Sequence, residues 1–133
     1  MKRIALLLTA LVLVTGPAHA GTRDAVPTVH IVGIVGTQID PEDGSTRYVL
    51  RIDAHDPDGV ISEMVVSFGD GVTVFALMAC TPPGSRIVQD FPYPYEPGRY
   101  LVRASVFSTS ECFAGSFQES APDTAKVIIP PRR

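Results

Sequence analysis

The chain has 133 residues and a formal net charge of −3, with eleven basic against fourteen acidic side chains. That length suits one domain with one core. Without a basic cluster, an acidic balance of this kind argues against nucleic acid as a partner.

The first twenty residues read as a cleavable export signal. Lys2 and Arg3 supply a positive start, residues 4–14 an apolar core, and Gly16-Pro17 a break. Ala18-His19-Ala20 then forms a small-x-small cleavage site. The apolar run is shorter than the ~20 residues a membrane-spanning helix needs. Cleavage after Ala20 would leave 113 residues and a net charge of −5, because the leader carries two cations and no acid. The mature chain is expected to be secreted, with no membrane span.

Residues 21–28 look like a short mobile lead-in, and residues 29–130 like one folded domain. Residues 29–35 are β-branched and predict a first strand, with Gly33 marking a bulge or a close backbone approach. Residues 40–45 are turn formers. Residues 46–54 alternate, with Tyr48, Leu50, Ile52 and Ala54 on one face and Arg47, Val49, Arg51 and Asp53 on the other. Asp56, Pro57, Asp58 and Gly59 make a turn. The strand after it, about 61–68, places Met64, Val66 and Phe68 on one face. Gly69, Asp70 and Gly71 then form a hairpin turn.

Residues 72–79 predict another strand, apolar on both sides, which is either covered on both faces or pinned at its end by Cys80. Residues 81–85 form a loop, and 86–90 a short strand. Residues 91–98 hold three prolines and cannot be a central strand. In 99–107, Tyr100, Val102, Ala104 and Val106 share one face. Residues 108–122 are small and polar and read as a loop, and 124–129 close the domain. No segment beyond the leader has a 3.6-residue apolar period. About seven short strands imply an all-β sandwich.

The two cysteines, Cys80 and Cys112, form an even pair in an exported chain, which implies a disulfide. A metal pair or a reactive thiol has no support, since there is no C-x-x-C spacing and no nearby His. The bond needs the ends of two strands side by side, with Cα atoms about 4.4–6.8 Å apart.

At these residues the chain resembles the PKD domain, an immunoglobulin-like module. The marks are Asp56-Pro57-Asp58-Gly59, the Phe68-Gly69-Asp70-Gly71 hairpin, and the segment Tyr93-Pro94-Tyr95 with Pro97-Gly98 and Tyr100. Val66 stands where the family usually has Trp, and Tyr93 where it has His. Ala54 to Ser62 also resembles immunoglobulin-like modules appended to bacterial secreted enzymes. The resemblance implies an immunoglobulin-like β-sandwich of about seven antiparallel strands. It puts Phe68 in the inter-sheet core, gives Gly69 and Gly71 positive φ, and has Asp70 hold its turn. It makes Tyr100 a tyrosine corner. Phe75, Leu77 or Met78 would fill the space left by the missing Trp.

Three function classes compete. The first is a non-catalytic module with an extracellular protein-interaction or structural role. The second is a carbohydrate-binding module, with Phe91, Tyr93 and Tyr95 stacking on the sugars of a cell-surface glycan. Alternatively those rings fold over the open end of the core. The third is a small secreted enzyme, for which the sequence shows no cleft of convergent polar groups. Apart from these three, a remote alternative is an adhesion module holding calcium on Asp53, Asp56, Asp58 and Asp70, although carboxylates of this kind also stabilise turns. No cofactor is expected. A catalytic carboxylate pair is disfavoured, because such groups must face each other across a cleft. No G-x-S-x-G or H-E-x-x-H motif exists, so His30 and His55 read as surface or packed residues.

Overall fold

A computed structural model describes residues 25–133. The expected leader lies outside the described residues. Eight strands follow in order: β1 (Thr28–Ile39), β2 (Thr46–His55), β3 (Val60–Ser67), β4 (Thr73–Leu77), β5 (Arg86–Tyr93), β6 (Gly98–Glu111), β7 (Ala114–Glu119) and β8 (Asp123–Ile129). They make two antiparallel sheets, an immunoglobulin-like β-sandwich. One sheet runs β1-β2-β5 and the other β4-β3-β6-β7, with β8 also paired to β6.

Alternation in the sequence becomes the core. Leu50, Ile52 and Ala54 of β2 face Met64 and Val66 of β3 and Val102, Ala104 and Val106 of β6, all buried. β6 spans 14 residues and organises the larger sheet. It pairs with β3 along one side. On its other side its first half carries β8 and its last residues β7. The expected bulge in β1 is present: register shifts fall between Ile31 and Gly33 and between Ile34 and Gly36.

Five expectations need correction. Residues 108–122 are not a loop. β6 continues to Glu111 and turns back as β7, held by stacking of Phe107 on Phe117 and by the Ser116 N–H on Ser110 Oγ at 2.9 Å. Hence there are eight strands where about seven were expected. β5 reaches Tyr93 through Pro92, which an edge strand tolerates because its missing N–H costs no ladder bond. β4 is covered on one face only, so Phe75 and Leu77 point into solvent, 70% and 73% exposed. Of the three residues expected to compensate for the missing Trp, Met78 alone is buried. Finally, the lead-in is not wholly free of the fold, since Pro27 is fully buried.

Cys80 and Cys112 are bonded, their Cα atoms 5.6 Å apart. The bond joins the segment after β4 to the β6–β7 turn, so both ends belong to the larger sheet, as expected.

Candidate functional site

The turn after β3 is built from both chain directions. Gly69 has φ +92°, and a Cβ there would sit 2.8 Å from the Leu101 carbonyl, so only glycine lets the turn lie against β6. Asp70 Oδ1 accepts the Val72 N–H at 3.1 Å, and Asp70 Oδ2 accepts the Tyr93 hydroxyl. The Phe68 N–H donates to Val72 at 3.0 Å. The return bond is missing because the Val72 N–H is taken by Asp70. The Tyr95 hydroxyl donates to the Phe68 carbonyl instead, at 2.9 Å.

Phe68 thus sits at the centre of an aromatic cluster. Tyr93 stacks on it at 3.9 Å between ring centroids, and Phe91 and Tyr95 meet it edge-on at 6.3 and 6.2 Å. Tyr100 joins through Tyr95 at 4.6 Å. Its hydroxyl donates to the Glu96 carbonyl at 2.7 Å, which is the expected tyrosine corner. Burial, then the bond to Asp70, pushes the Tyr93 hydroxyl up to about 12 from its ordinary 10.0. Burial raises Tyr95 as well.

This geometry corrects the sugar-platform reading. Tyr95 is 1% exposed, and Phe91 and Tyr93 pack against the core. The rings close the end of the sandwich and present no flat aromatic face.

The four acids proposed for calcium do not converge. Asp56 is fully buried, and its Oδ1 accepts the Asp58 N–H at 3.1 Å. Asp53 pairs with Arg86 at 3.0 Å. Asp70 lies past the far end of β3, whose eight residues span roughly 26 Å. The acids are near each other along the chain, and β3 carries them apart. Among the described residues no three His, Cys, Asp or Glu side chains converge as metal ligands would. His55 Nε2 bonds the Gly84 carbonyl at 3.1 Å, tying β2 to the loop before β5. His30 is exposed, with Nδ1 3.6 Å from Asp123.

The outer faces of the two sheets differ in how their charges are used. On the smaller sheet the Arg51 guanidinium grips Asp90 at 2.8 and 2.9 Å, and Arg86 pairs with Asp53. The bond from Arg51 holds the Asp90 carboxyl below the usual carboxylate range. On the larger sheet Arg99, Leu101 and Arg103 of β6 project outward beside Lys126 and Ile128 of β8. Leu101 and Ile128 are 57% and 67% exposed. Among the described residues, Arg99, Arg103 and Lys126 form no ion pair. A shallow groove of about 300 Å³ runs along this stripe, lined by Arg99, Tyr100, Leu101, Lys126 and Ile128. Farther along the same face lie Phe75, Val65 and Leu77, and the stacked Phe107 and Phe117.

Sequence reasoning missed this surface. Its one signal was that residues 72–79 are apolar in both phases of a two-residue repeat, which leaves one phase facing water whenever a single face is covered.

No family model matches the chain, and no curated protein matches it. Among solved structures, the chain is similar to the PKD domain of an M14-like peptidase from a Thermoplasmatales archaeon. The two share 21% identity at a TM-score of 0.46, over 82% of this chain and 99% of that one.

Proposed function

We propose that this chain is a secreted, non-catalytic immunoglobulin-like module that binds an extracellular protein through the outer face of its larger sheet. One observation carries the reading. Among the described residues, Arg99, Arg103 and Lys126 form no ion pair, and they stand around exposed Leu101 and Ile128 on a chain whose overall balance is acidic. Unpaired cations flanking exposed aliphatic side chains suit a partner segment that alternates carboxylates with apolar residues. Complementary charge of this kind steers association and fixes register. The disulfide fits an oxidising compartment.

Affinity capture from the extracellular protein fraction tests it, with wild type and an Arg99→Glu/Lys126→Glu variant as baits and insoluble polysaccharides as a parallel arm. The expected result is a salt-sensitive protein partner held by wild type and lost by the charge-reversed variant. Equal capture by both baits, or retention on polysaccharide alone, overturns the reading. N-terminal sequencing of the exported protein should start near Gly21.

A further inference from the structure

We infer that β4 is a pairing edge, and that its occupant is β4 of a second copy of this chain. Every other edge strand carries a device that discourages pairing. β1 has two register shifts, and β5 carries Pro92 with Arg86 and Asp90. β7 follows a register shift and bears Glu119, and β8 carries Lys126 and ends at Pro130. β4 has none of these. From Gly71 to Cys80 there is no charge and no proline.

The ladder fixes which groups of β4 are free. The Phe68 N–H bonds Val72 and the Met78 N–H bonds Ser62, each at 3.0 Å. With the register Glu63↔Leu77 to Ser67↔Thr73, the hydrogen-bonded pairs to β3 are therefore those of Val74 and Ala76. The N–H and C=O groups of Thr73, Phe75 and Leu77 point away from β3. These are the residues whose side chains are exposed on the outer face. One five-residue strand thus presents both a free backbone row and two large exposed apolar side chains.

A second copy meets those requirements without adjustment. An antiparallel pair centred on Phe75 sets Phe75 against its equivalent and Thr73 against Leu77, with about six new backbone hydrogen bonds. The like charges nearest the seam are the two Glu63 side chains. They would lie three strand spacings apart and four residues out of step along the strands, roughly 20 Å in all, which exceeds the ~8 Å screening length at physiological salt. The net negative charge therefore does little to oppose the pairing. The contact is self-complementary, so it closes at two chains, and the protected edges stop it growing into a fibre. Two large side chains and one short backbone row fall well below the ~800 Å² per partner of a standard interface, so the dimer is weak.

The test is sedimentation equilibrium of the mature chain from micromolar to millimolar concentration, combined with hydrogen exchange. Monomer–dimer behaviour is expected, with amides of Thr73, Phe75 and Leu77 protected only at high concentration. Phe75→Lys should weaken association at least about tenfold while leaving its circular dichroism and melting curve intact. Association by Arg99→Glu/Lys126→Glu should be unchanged, which separates this inference from the proposed partner site. Three results overturn it: a monomer at millimolar concentration, a dimer that survives Phe75→Lys, or protection of the β4 amides that appears only with an added extended peptide. Where Phe75→Lys unfolds the chain, Thr73→Pro replaces it, since it removes an outward N–H and leaves the β3 ladder whole.

Discussion

Replacing Tyr95 by Phe removes one hydroxyl and leaves the ring. Its consequence follows from the turn after β3. The Phe68 carbonyl lacks its usual hairpin donor because the Val72 N–H is committed to Asp70. The Tyr95 hydroxyl is its partner, on a side chain 1% exposed. Tyr95→Phe therefore strands an acceptor beside the core, which costs about 1–3 kcal/mol. Ring packing against Phe68, Tyr93 and Tyr100 is kept, so no cavity term adds to this. For a domain of this size each kcal/mol lowers the melting temperature by roughly 4 °C, giving a fall of about 4–12 °C. The chain has no Trp, so urea unfolding is followed by circular dichroism. The midpoint should drop with an unchanged slope. Tyr93→Phe loses only a more exposed bond to Asp70 and should cost under about 1 kcal/mol. A Tyr95→Phe change within about 0.5 kcal/mol of wild type would refute this reasoning, because it would mean the Phe68 carbonyl is served by something other than that hydroxyl.

Gly69→Ala should destabilise by about 2–3 kcal/mol, from positive φ plus overlap with the Leu101 backbone. Gly71→Ala has comparable φ but open space and should cost only about 1 kcal/mol, so equal denaturation midpoints for the two would remove the clash. Replacing Cys80 and Cys112 together by Ala opens a loop of 32 residues and should cost roughly 3.7 kcal/mol in the chain-entropy model. A loss below about 1 kcal/mol in the same urea assay would mean the unfolded chain is little constrained by the bond. The raised Tyr93 hydroxyl favours the folded state only while it is protonated. Its contribution is complete below the ordinary value of 10.0 and is lost as pH climbs through about 12. Unfolding midpoints followed into that range should fall, and fall less steeply for Tyr93→Phe.

Where side chains alternate cleanly between apolar and polar, the sequence was legible. β2 and β6 take the faces their patterns assign, and the positive φ of Gly69 and Gly71 and the tyrosine corner at Tyr100 follow from motif positions. Phase was harder. Phe91, Tyr93 and Tyr95 alternate with prolines equally well as a sugar platform or as a lid over the core. What decides is the bond from the Tyr95 hydroxyl to the Phe68 carbonyl and the stacking on Phe68, both made by distant chain. Phe75 and Leu77 posed the same ambiguity with the opposite outcome. β7 was illegible because its residues are small and polar. It is ordered by the Phe107–Phe117 stack, the Ser110 bond and the disulfide, which are tertiary contacts. The four acids looked like a cluster because linear proximity hides the length of β3 between them.

The bond between Cys80 and Cys112 closes a loop that contains β5 and β6, one strand from each sheet. The loop is therefore a covalent ring threaded through both halves of the sandwich. Its turns at residues 81–85 and 94–97 are exposed at Pro82, Pro83, Pro94 and Pro97, where a protease could reach the chain. A single cut in either turn leaves one molecule, since the pieces stay joined through sulfur and through the ladders on either side. Such a nicked protein would run as one band on a non-reducing gel and as two after reduction. The same cut made outside the ring, between β2 and β3 or after β7, has no such covalent backup. Tolerance to proteolysis should thus be uneven along the surface, greatest where the ring encloses the cut.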